Sequence, residues 1–204
     1  MGFRFLKSLD ILGVVLCGRT KRMNRPEELE AVEHSLNLLS QVSRECILSV
    51  DDRQFPIFKK RFQSREIIID SQNLHGPVSG ILSVYSAYRV YNLIVLSMDM
   101  LHMEIQPIRT LIQNYKAQPN YDFYVFKNGK GVEPLCGIYT SAGLKKINDS
   151  YLEGSLKSYN LKTILQESNT LILEPPGEYE ANLQHPVHKP KPLLPNLPLN
   201  ETQA

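Results

Sequence analysis

Residues 11–39 read ILGVVLCGRTKRMNRPEELEAVEHSLNLL, and this stretch decides the fold class. It begins with six apolar or small residues, which is typical of a short strand buried on both faces. Pro26, Glu27 and Glu28 favour a helix start, because proline suits the first helical position and acidic side chains stabilise the positive end of the helix dipole. Apolar residues then recur every three or four positions at Leu29, Val32, Leu36 and Leu39. The stretch therefore predicts a buried strand, a basic loop and an amphipathic helix.

The same alternation of strand and helix continues along the chain. Apolar runs predict strands at residues 46–50, 67–69 and 93–96. Helical periodicity predicts helices at residues 78–88 and 104–116. Alternation of this kind is typical of a parallel sheet that is covered by helices on both faces.

After residue 120 the pattern becomes antiparallel. Strand candidates at residues 121–126 and 135–139 flank Asn128-Gly129, a dipeptide that favours a tight turn between strands. Two helices, at residues 142–152 and 158–167, and a last strand at 170–173 complete the prediction. We therefore expect an α/β fold, a three-layer sandwich with a mostly parallel mixed sheet.

The division into domains follows from the prolines. Residues 1–174 are expected to form one domain, since that length is enough for a single hydrophobic core. From residue 175 onward prolines recur every few positions. Proline interrupts both helices and sheets, so residues 175–204 are predicted to form a disordered tail.

Composition excludes several classes of protein. The net charge is +2, so no polyanionic nucleic-acid partner is expected. The longest apolar runs are far too short to cross a membrane, so no membrane association is expected either. Three widely spaced cysteines without a C-x-x-C motif argue against disulfides and a structural metal, which favours the reducing cytoplasm.

Candidate site residues lie where the predicted parallel strands end, because ligands bind at that edge of an open sheet. The loop at residues 16–23 offers backbone N–H groups and three cations to a triphosphate. It has one glycine, too few for a known phosphate-binding signature, so an ordinary basic connection explains it equally well.

Two aspartates follow other strands. Asp99 comes directly after the strand at 93–96, where a carboxylate is well placed to hold Mg²⁺ or, alternatively, to cap a turn. Asp70 ends the strand at 67–69, where it could accept hydrogen bonds from a nucleotide base or ribose, or form a turn.

Four segments resemble, in order, the motifs of the molybdenum cofactor guanylyltransferases. Residues 16–24, LCGRTKRMN, resemble the opening loop L-A-G-G-x-S-x-R-M-G with one glycine fewer. Residues 76–83, GPVSGILS, resemble G-P-L-x-G-x-L-S. Residues 98–101, MDML, resemble C-D-M-P, and residues 134–139, PLCGIY, resemble P-L-C-x-I-Y. The resemblance covers about residues 8–180.

The resemblance implies a fold, a reaction and a set of partners. The fold is that of nucleotide-diphospho-sugar transferases. The reaction is the transfer of GMP from Mg²⁺-bound GTP to molybdopterin, with release of pyrophosphate. GTP and the molybdopterin cofactor would be the ligands, and molybdoenzymes or other cofactor-biosynthesis proteins would be partners.

The resemblance also implies roles for individual residues. Asp99 would hold the metal and act in catalysis together with Arg22. The remaining nucleotide-binding residues would be Leu16, Cys17, Gly18, Lys21, Ser49 and Asp70.

Departures from the family pattern leave two alternatives open. The loop lacks its second glycine, and Pro26-Glu27-Glu28 stands where the family has a lysine that meets the triphosphate. Two glutamates there would repel a triphosphate. The chain could therefore be a non-catalytic relative that binds nucleotide or pterin, or a cytidylyltransferase of the same fold.

Overall fold

The computed structural model describes residues 10–18, 26–70, 74, 76–177, 179 and 183. The strands in this part of the chain are β1 (Ile11–Leu16), β2 (Cys46–Val50), β3 (Glu66–Ile69), β4 (Asn92–Ser97), β5 (Phe123–Asn128), β6 (Gly131–Tyr139) and β7 (Thr170–Leu173). The helices are α1 (Pro26–Leu39), α2 (Phe55–Arg61), α3 (Pro77–Ala87), α4 (Ile105–Ala117), α5 (Ser141–Leu152) and α6 (Leu161–Glu167).

The strands form one sheet in the order β3-β2-β1-β4-β6-β5-β7. The first four of these are mutually parallel, β6 is antiparallel to both of its neighbours, and β7 is parallel to β5. The predicted mostly parallel mixed sheet is thus confirmed. The chain proceeds outward from β1 to β3 and then returns to β4 on the other side of β1. This reversal of strand order opens a crevice at the carboxyl ends of β1 and β4.

The strands bury apolar side chains on both faces. On β1, Ile11 and Val15 enter the core under α1, α2 and α4, which we call the first core. Leu12 and Val14 enter the core under α3, α5 and α6, the second core. Because both faces are covered, the strand is a continuous apolar run rather than an alternating one.

The structure corrects several predicted boundaries. β6 begins at Gly131, not residue 135, and β5 runs from Phe123 to Asn128 rather than over 121–126. Their pairing shifts register between Val125 and Phe126, an irregularity that breaks the expected alternation. α6 begins three residues later than predicted, because the Asn160 side chain caps it by accepting a hydrogen bond from the Lys162 N–H.

Helix α2 is a new element. Its fully buried residue is Phe58, and half-buried Phe55 and Ile57 also pack against the first core. With seven residues the helix is shorter than the window over which periodicity predicts a helix. Its basic residues Lys59, Lys60 and Arg61 are exposed, as expected for a solvated surface. The helix follows the turn after β2 and so lies at the same edge of the sheet as the crevice.

Most of the stretch predicted as a tail lies outside the described residues. Within it, Leu183 is fully buried in the first core, and its carbonyl oxygen lies 3.3 Å from Nδ2 of Asn128. The boundary at residue 174 remains a prediction, and Leu183 provides a way to test it. Among the described helices, none combines the length and the apolar character needed to span a membrane.

Candidate functional site

A cleft of about 260 Å³ lies at the carboxyl ends of the parallel strands, at the reversal of strand order. It is lined by residues from the ends of β1 to β4, from the start of α3 and from β6: Leu16, Gly18, Ser49, Asp70, Gly76, Pro77, Ser79, Gly80, Ser97, Asp99 and Leu135. The structure therefore brings together loops that are far apart in the sequence. Of the predicted site residues, Leu16, Gly18, Ser49, Asp70 and Asp99 all line this cleft.

Ser49 and Asp70 form a fixed pair on one side of the cleft. The Ser49 hydroxyl donates a 2.7 Å hydrogen bond to Oδ1 of Asp70. The pair forms because β2 and β3 are parallel neighbours, and the Asp70 N–H continues their ladder with a 2.8 Å bond to the Val50 carbonyl oxygen. Ser49 is buried, so the hydroxyl holds the carboxylate in one orientation at the cleft wall.

Gly80 lies directly behind this pair. A Cβ atom on Gly80 would lie 2.3 Å from the Ser49 hydroxyl oxygen and 3.2 Å from Oδ1 of Asp70. Real Cβ atoms do not make contacts as short as 2.3 Å, so glycine lets α3 approach the Ser49 hydroxyl this closely. Gly80 was recognised within a motif, but its contact with Ser49 depends on tertiary packing and has no local sequence signal.

Asp99 lies in the turn after β4 and is exposed on the cleft. Its backbone N–H donates to the hydroxyl of buried Ser97 at 3.2 Å. The loop that follows is tied to α1, since Nε2 of His34 lies 2.8 Å from the Met103 carbonyl oxygen. A carbonyl can only accept, so this nitrogen carries the hydrogen.

Asp99 fits a metal ion that is shared with a substrate. Mg²⁺ is usually held by one or two carboxylates together with phosphate oxygens and water. Across the described part of the chain, no cluster of three or more His, Cys, Asp or Glu side chains could form a complete protein site. Asp99, which is exposed on the cleft, thus provides the kind of partial site that a nucleotide would complete.

The loop after β1 turns at Gly18, whose φ of +58° is in the left-handed region that favours glycine. Buried Gln54 supports this turn, because its Nε2 donates a 2.6 Å hydrogen bond to the Gly18 carbonyl oxygen. Gln54 was not predicted from the sequence, since a glutamine in a polar turn carries no signal of the distant loop that it contacts.

Cys17, a predicted site residue, is not among the residues that line the cleft. Its thiol is fully buried in the first core, and its backbone N–H donates to the Ser49 carbonyl oxygen at 3.0 Å. Burial raises the pKa of the thiol well above its ordinary value, and the nearby carboxylates of Asp70 and Asp99 raise it further. The thiol is therefore protonated at neutral pH and is not a nucleophile.

Two further groups complete the cleft. The N-terminus of α3, at Gly76 and Pro77, brings the positive end of a helix dipole to it. Half-buried Leu135 on β6 adds an apolar wall that the sequence analysis did not assign to the site. The predicted residues Lys21 and Arg22 lie outside the described residues.

Solved structures of low sequence identity share the fold. A protein of Aquifex aeolicus VF5 superposes with a TM-score of 0.68 at 20% identity, over 89% of this chain and 95% of that one. Molybdopterin-guanine dinucleotide biosynthesis protein A from Archaeoglobus fulgidus gives a TM-score of 0.60 at 16% identity, over 80% and 83%. CMP:2-keto-3-deoxy-manno-octonic acid synthetase complexed with CTP gives 0.62 at 12%, over 81% and 89%. The predicted nucleotide-diphospho-sugar transferase fold is thus confirmed.

Sequence comparison assigns the chain to a family. No curated protein matches the chain significantly. The profile of the MobA-like NTP transferase domain matches residues 13–171, which include every strand of the sheet in whole or in part. The chain therefore belongs to the MobA-like NTP transferase domain family and is a nucleotidyltransferase.

Proposed function

We propose that the protein transfers GMP from GTP to the terminal phosphate of molybdopterin and releases pyrophosphate. The observation that supports this proposal is the convergence of the Ser49–Asp70 pair, Asp99 and Gly18 on one cleft of a MobA-like domain. Membership of the family supports nucleotidyl transfer. The specificity for guanine and for molybdopterin is what we propose.

The reaction needs little covalent chemistry from the protein. A terminal phosphate oxygen of the acceptor attacks the α-phosphorus of GTP, the bond from that phosphorus to the β-phosphate oxygen breaks, and pyrophosphate leaves. Positioning the two phosphates and neutralising their charge provide most of the catalysis in such a transfer.

Asp99 would hold Mg²⁺ together with phosphate oxygens of the nucleotide. When bound, this ion supplies positive charge that stabilises the charge developing on those oxygens. The exposure of Asp99 on the cleft supports this role. Lys21 and Arg22 would neutralise the remaining charge of the triphosphate, with Arg22 replacing the lysine of the family pattern.

The base would be bound at the Ser49–Asp70 pair. Guanine carries two adjacent donors, the N1–H and the 2-amino group, and a carboxylate can accept several hydrogen bonds side by side. Because the Ser49 hydroxyl fixes the Asp70 carboxylate, its orientation is set before the base arrives. Backbone atoms of Leu16, Cys17 and Gly18 would contact the rest of the nucleotide.

CTP is the second candidate nucleotide. The fold likeness to a synthetase solved with CTP favours it, and cytosine also offers an amino group to a carboxylate. A cytosine lacks the second adjacent donor, so Asp70 would bind it through fewer hydrogen bonds.

Pyrophosphate release in the presence of molybdopterin tests the proposal. We expect turnover with GTP and Mg²⁺, at least ten times less turnover with CTP, and a strong loss in Asp70→Asn. The matched control is Asp149→Asn, which changes an exposed aspartate paired with Lys145 on α5. Turnover with CTP alone would assign the protein to the cytidylyltransferases, and nucleotide binding without turnover would support a non-catalytic role.

The cell compartment and protein partners follow from the same proposal. A cytoplasmic location is supported by the three cysteines, all of which are buried with free thiols. Molybdoenzymes and other cofactor-biosynthesis proteins would be the partners that receive the product.

A further inference from the structure

We propose that Gln54 is a positioning residue that sets the backbone of the phosphate-binding loop at Gly18. The inference rests on the proposed function, since it concerns how that site binds the triphosphate. Gln54 lies in the turn between β2 and α2, is 2% exposed, and does not line the cleft. It would act through the loop rather than by touching the nucleotide.

The side-chain amide of Gln54 links the ends of two strands. Its Nε2 donates to the Gly18 carbonyl oxygen at 2.6 Å and lies 3.5 Å from the Cys17 carbonyl oxygen, so it bridges both carbonyls of the turn after β1. Its Oε1 accepts a 3.0 Å hydrogen bond from the Asp51 N–H, just after β2. Donor and acceptor ends of the amide are therefore both engaged by backbone groups.

Asp51 in turn holds Gln54 in place. Oδ1 of Asp51 accepts a 3.0 Å hydrogen bond from the Gln54 N–H, while Gln54 accepts from the Asp51 N–H. This reciprocal pair forms the turn that leads into α2. Because the side chain is buried and bonded at both ends, it has one orientation and can transmit that orientation to the loop.

The consequence for Gly18 follows from peptide geometry. In a trans peptide the carbonyl and the next N–H point in opposite directions. Since Gln54 draws the Cys17 carbonyl towards α2, the N–H of Gly18 points the other way. No residue in the described part of the chain accepts a hydrogen bond from it. Backbone N–H groups left available in such a turn form an anion-binding concavity.

The shortened loop makes this support important. A loop with two glycines can reach a phosphate-binding conformation through its own backbone freedom, whereas this loop has Gly18 alone. An unsupported carbonyl could also rotate into the cleft, where its partial negative charge would repel phosphate oxygens. Gln54 keeps the carbonyls of Cys17 and Gly18 engaged on the side of α2.

Calorimetric titration with GTP and with GMP tests the role of Gln54. Gln54→Met keeps the size of the side chain and removes its donor. We expect the Kd for GTP to rise at least tenfold and the Kd for GMP to rise less than threefold, because GTP depends more on the loop. Gln63→Met is the matched control, since Gln63 is exposed after α2 and donates to the Lys60 carbonyl oxygen.

The outcomes separate this inference from the proposed function. No GTP binding by the wild-type protein would overturn both. Wild-type binding with equal losses for GTP and GMP, or with no loss in Gln54→Met, would overturn the role of Gln54 and leave the proposed function standing. If Gln54→Met does not fold, Gln54→Leu removes the same donor with a second apolar side chain. Failure of both variants to fold would make Gln54 a structural residue and overturn the proposal.

Discussion

Single residues from different strands define the wall of the cleft. The Ser49 hydroxyl, the Asp70 carboxylate and the Cα of Gly80 come from β2, the loop after β3 and α3, and each restricts the position of the next. The hydrogen bond from the Ser49 hydroxyl to the Asp70 carboxylate is worth about 1.5–3 kcal/mol of net stability, because one partner is charged. It also orients the carboxylate for a ligand.

Gly80→Ala tests whether this pair belongs to the binding site. Replacing glycine by alanine inside a helix stabilises it by about 0.5–1 kcal/mol. The new Cβ would displace the Ser49 hydroxyl and break its bond to the Asp70 carboxylate, a loss of about 1.5–3 kcal/mol. We expect a net loss of about 0.5–2.5 kcal/mol in unfolding free energy and a roughly tenfold weaker GTP affinity, which is 1.4 kcal/mol of binding.

The control for this substitution is Gly129→Ala, because a Cβ on Gly129 meets no atom within 4 Å. Urea unfolding and calorimetry on both variants provide the two measurements. Unchanged GTP affinity in Gly80→Ala would remove the Ser49–Asp70 pair from the binding site.

The cysteine thiols give a second prediction at the residue scale. Burial raises the pKa of Cys17, Cys46 and Cys136, and a raised pKa in the folded state stabilises the protein below the unfolded pKa. That contribution to stability is lost as the pH rises through the pKa of the thiols in the folded state. At pH 8 we therefore expect no rapid reaction of the folded protein with a thiol reagent, and reaction of all three thiols after unfolding.

Cys17→Ser provides the control, since one reactive thiol should then be missing from the unfolded protein. A thiol that reacts within seconds in the folded protein at pH 8 would contradict the burial that the structure shows.

Elements position these residues through the order of the sheet. The reversal of strand order between β1 and β4 puts Gly18 and Asp99 on one crevice, and α2 supports the turn at Gly18 from the side of β2. α2 packs on the first core through fully buried Phe58, whose ring lies 5.5 Å from that of Phe62, and through half-buried Phe55 and Ile57. Of these side chains in the helix, Phe58 loses the most exposure and contributes most to its packing.

Phe58→Ala tests the dependence of α2 on this side chain. Removing a fully buried phenylalanine costs about 3–5 kcal/mol. Lys59→Ala, at an exposed position of the same helix, should change the unfolding free energy by no more than about 0.5 kcal/mol. Equal effects of the two substitutions in urea unfolding would show that α2 does not pack as described.

The elements also show which features a sequence can predict. The buried strands and the helices with a long apolar face, such as α1, were predictable because burial imposes a period on the sequence. The position of Asp99 at the edge of the cleft was predictable because the residue closely follows the buried strand β4. The same reasoning failed for α2, because a helix of seven residues is too short for its period to be recognised. It also failed for Gln54, whose hydrogen bonds join segments that only the folded sheet brings together.

At the scale of the whole molecule, the described residues form two hydrophobic cores, one on each face of the sheet. The predicted C-terminal boundary of the domain, at residue 174, can be tested. Leu183 is fully buried in the first core, and Asn128 Nδ2 bonds both to Oε2 of Glu133 at 2.8 Å and to the Leu183 carbonyl oxygen. If residues 175–204 formed an unpacked tail, these contacts of Leu183 would not contribute to the stability of the protein.

Leu183→Ala distinguishes a packed segment from an independent tail. Deleting a fully buried leucine side chain costs about 2–5 kcal/mol. We expect a loss in this range by urea unfolding, and Leu152→Ala, at an exposed position of α5, serves as the control. An effect no larger than that of the control would support the boundary at residue 174.

The most direct test of the account is calorimetric titration of the protein with GTP, with and without Mg²⁺, in the wild type and in Asp99→Ala. Asp149→Ala controls for loss of an acidic residue away from the cleft. We expect saturable GTP binding that strengthens with Mg²⁺ in the wild type and in Asp149→Ala. In Asp99→Ala we expect that dependence on Mg²⁺ to be lost. GTP binding that is equal with and without Mg²⁺ and unchanged in Asp99→Ala would contradict the account.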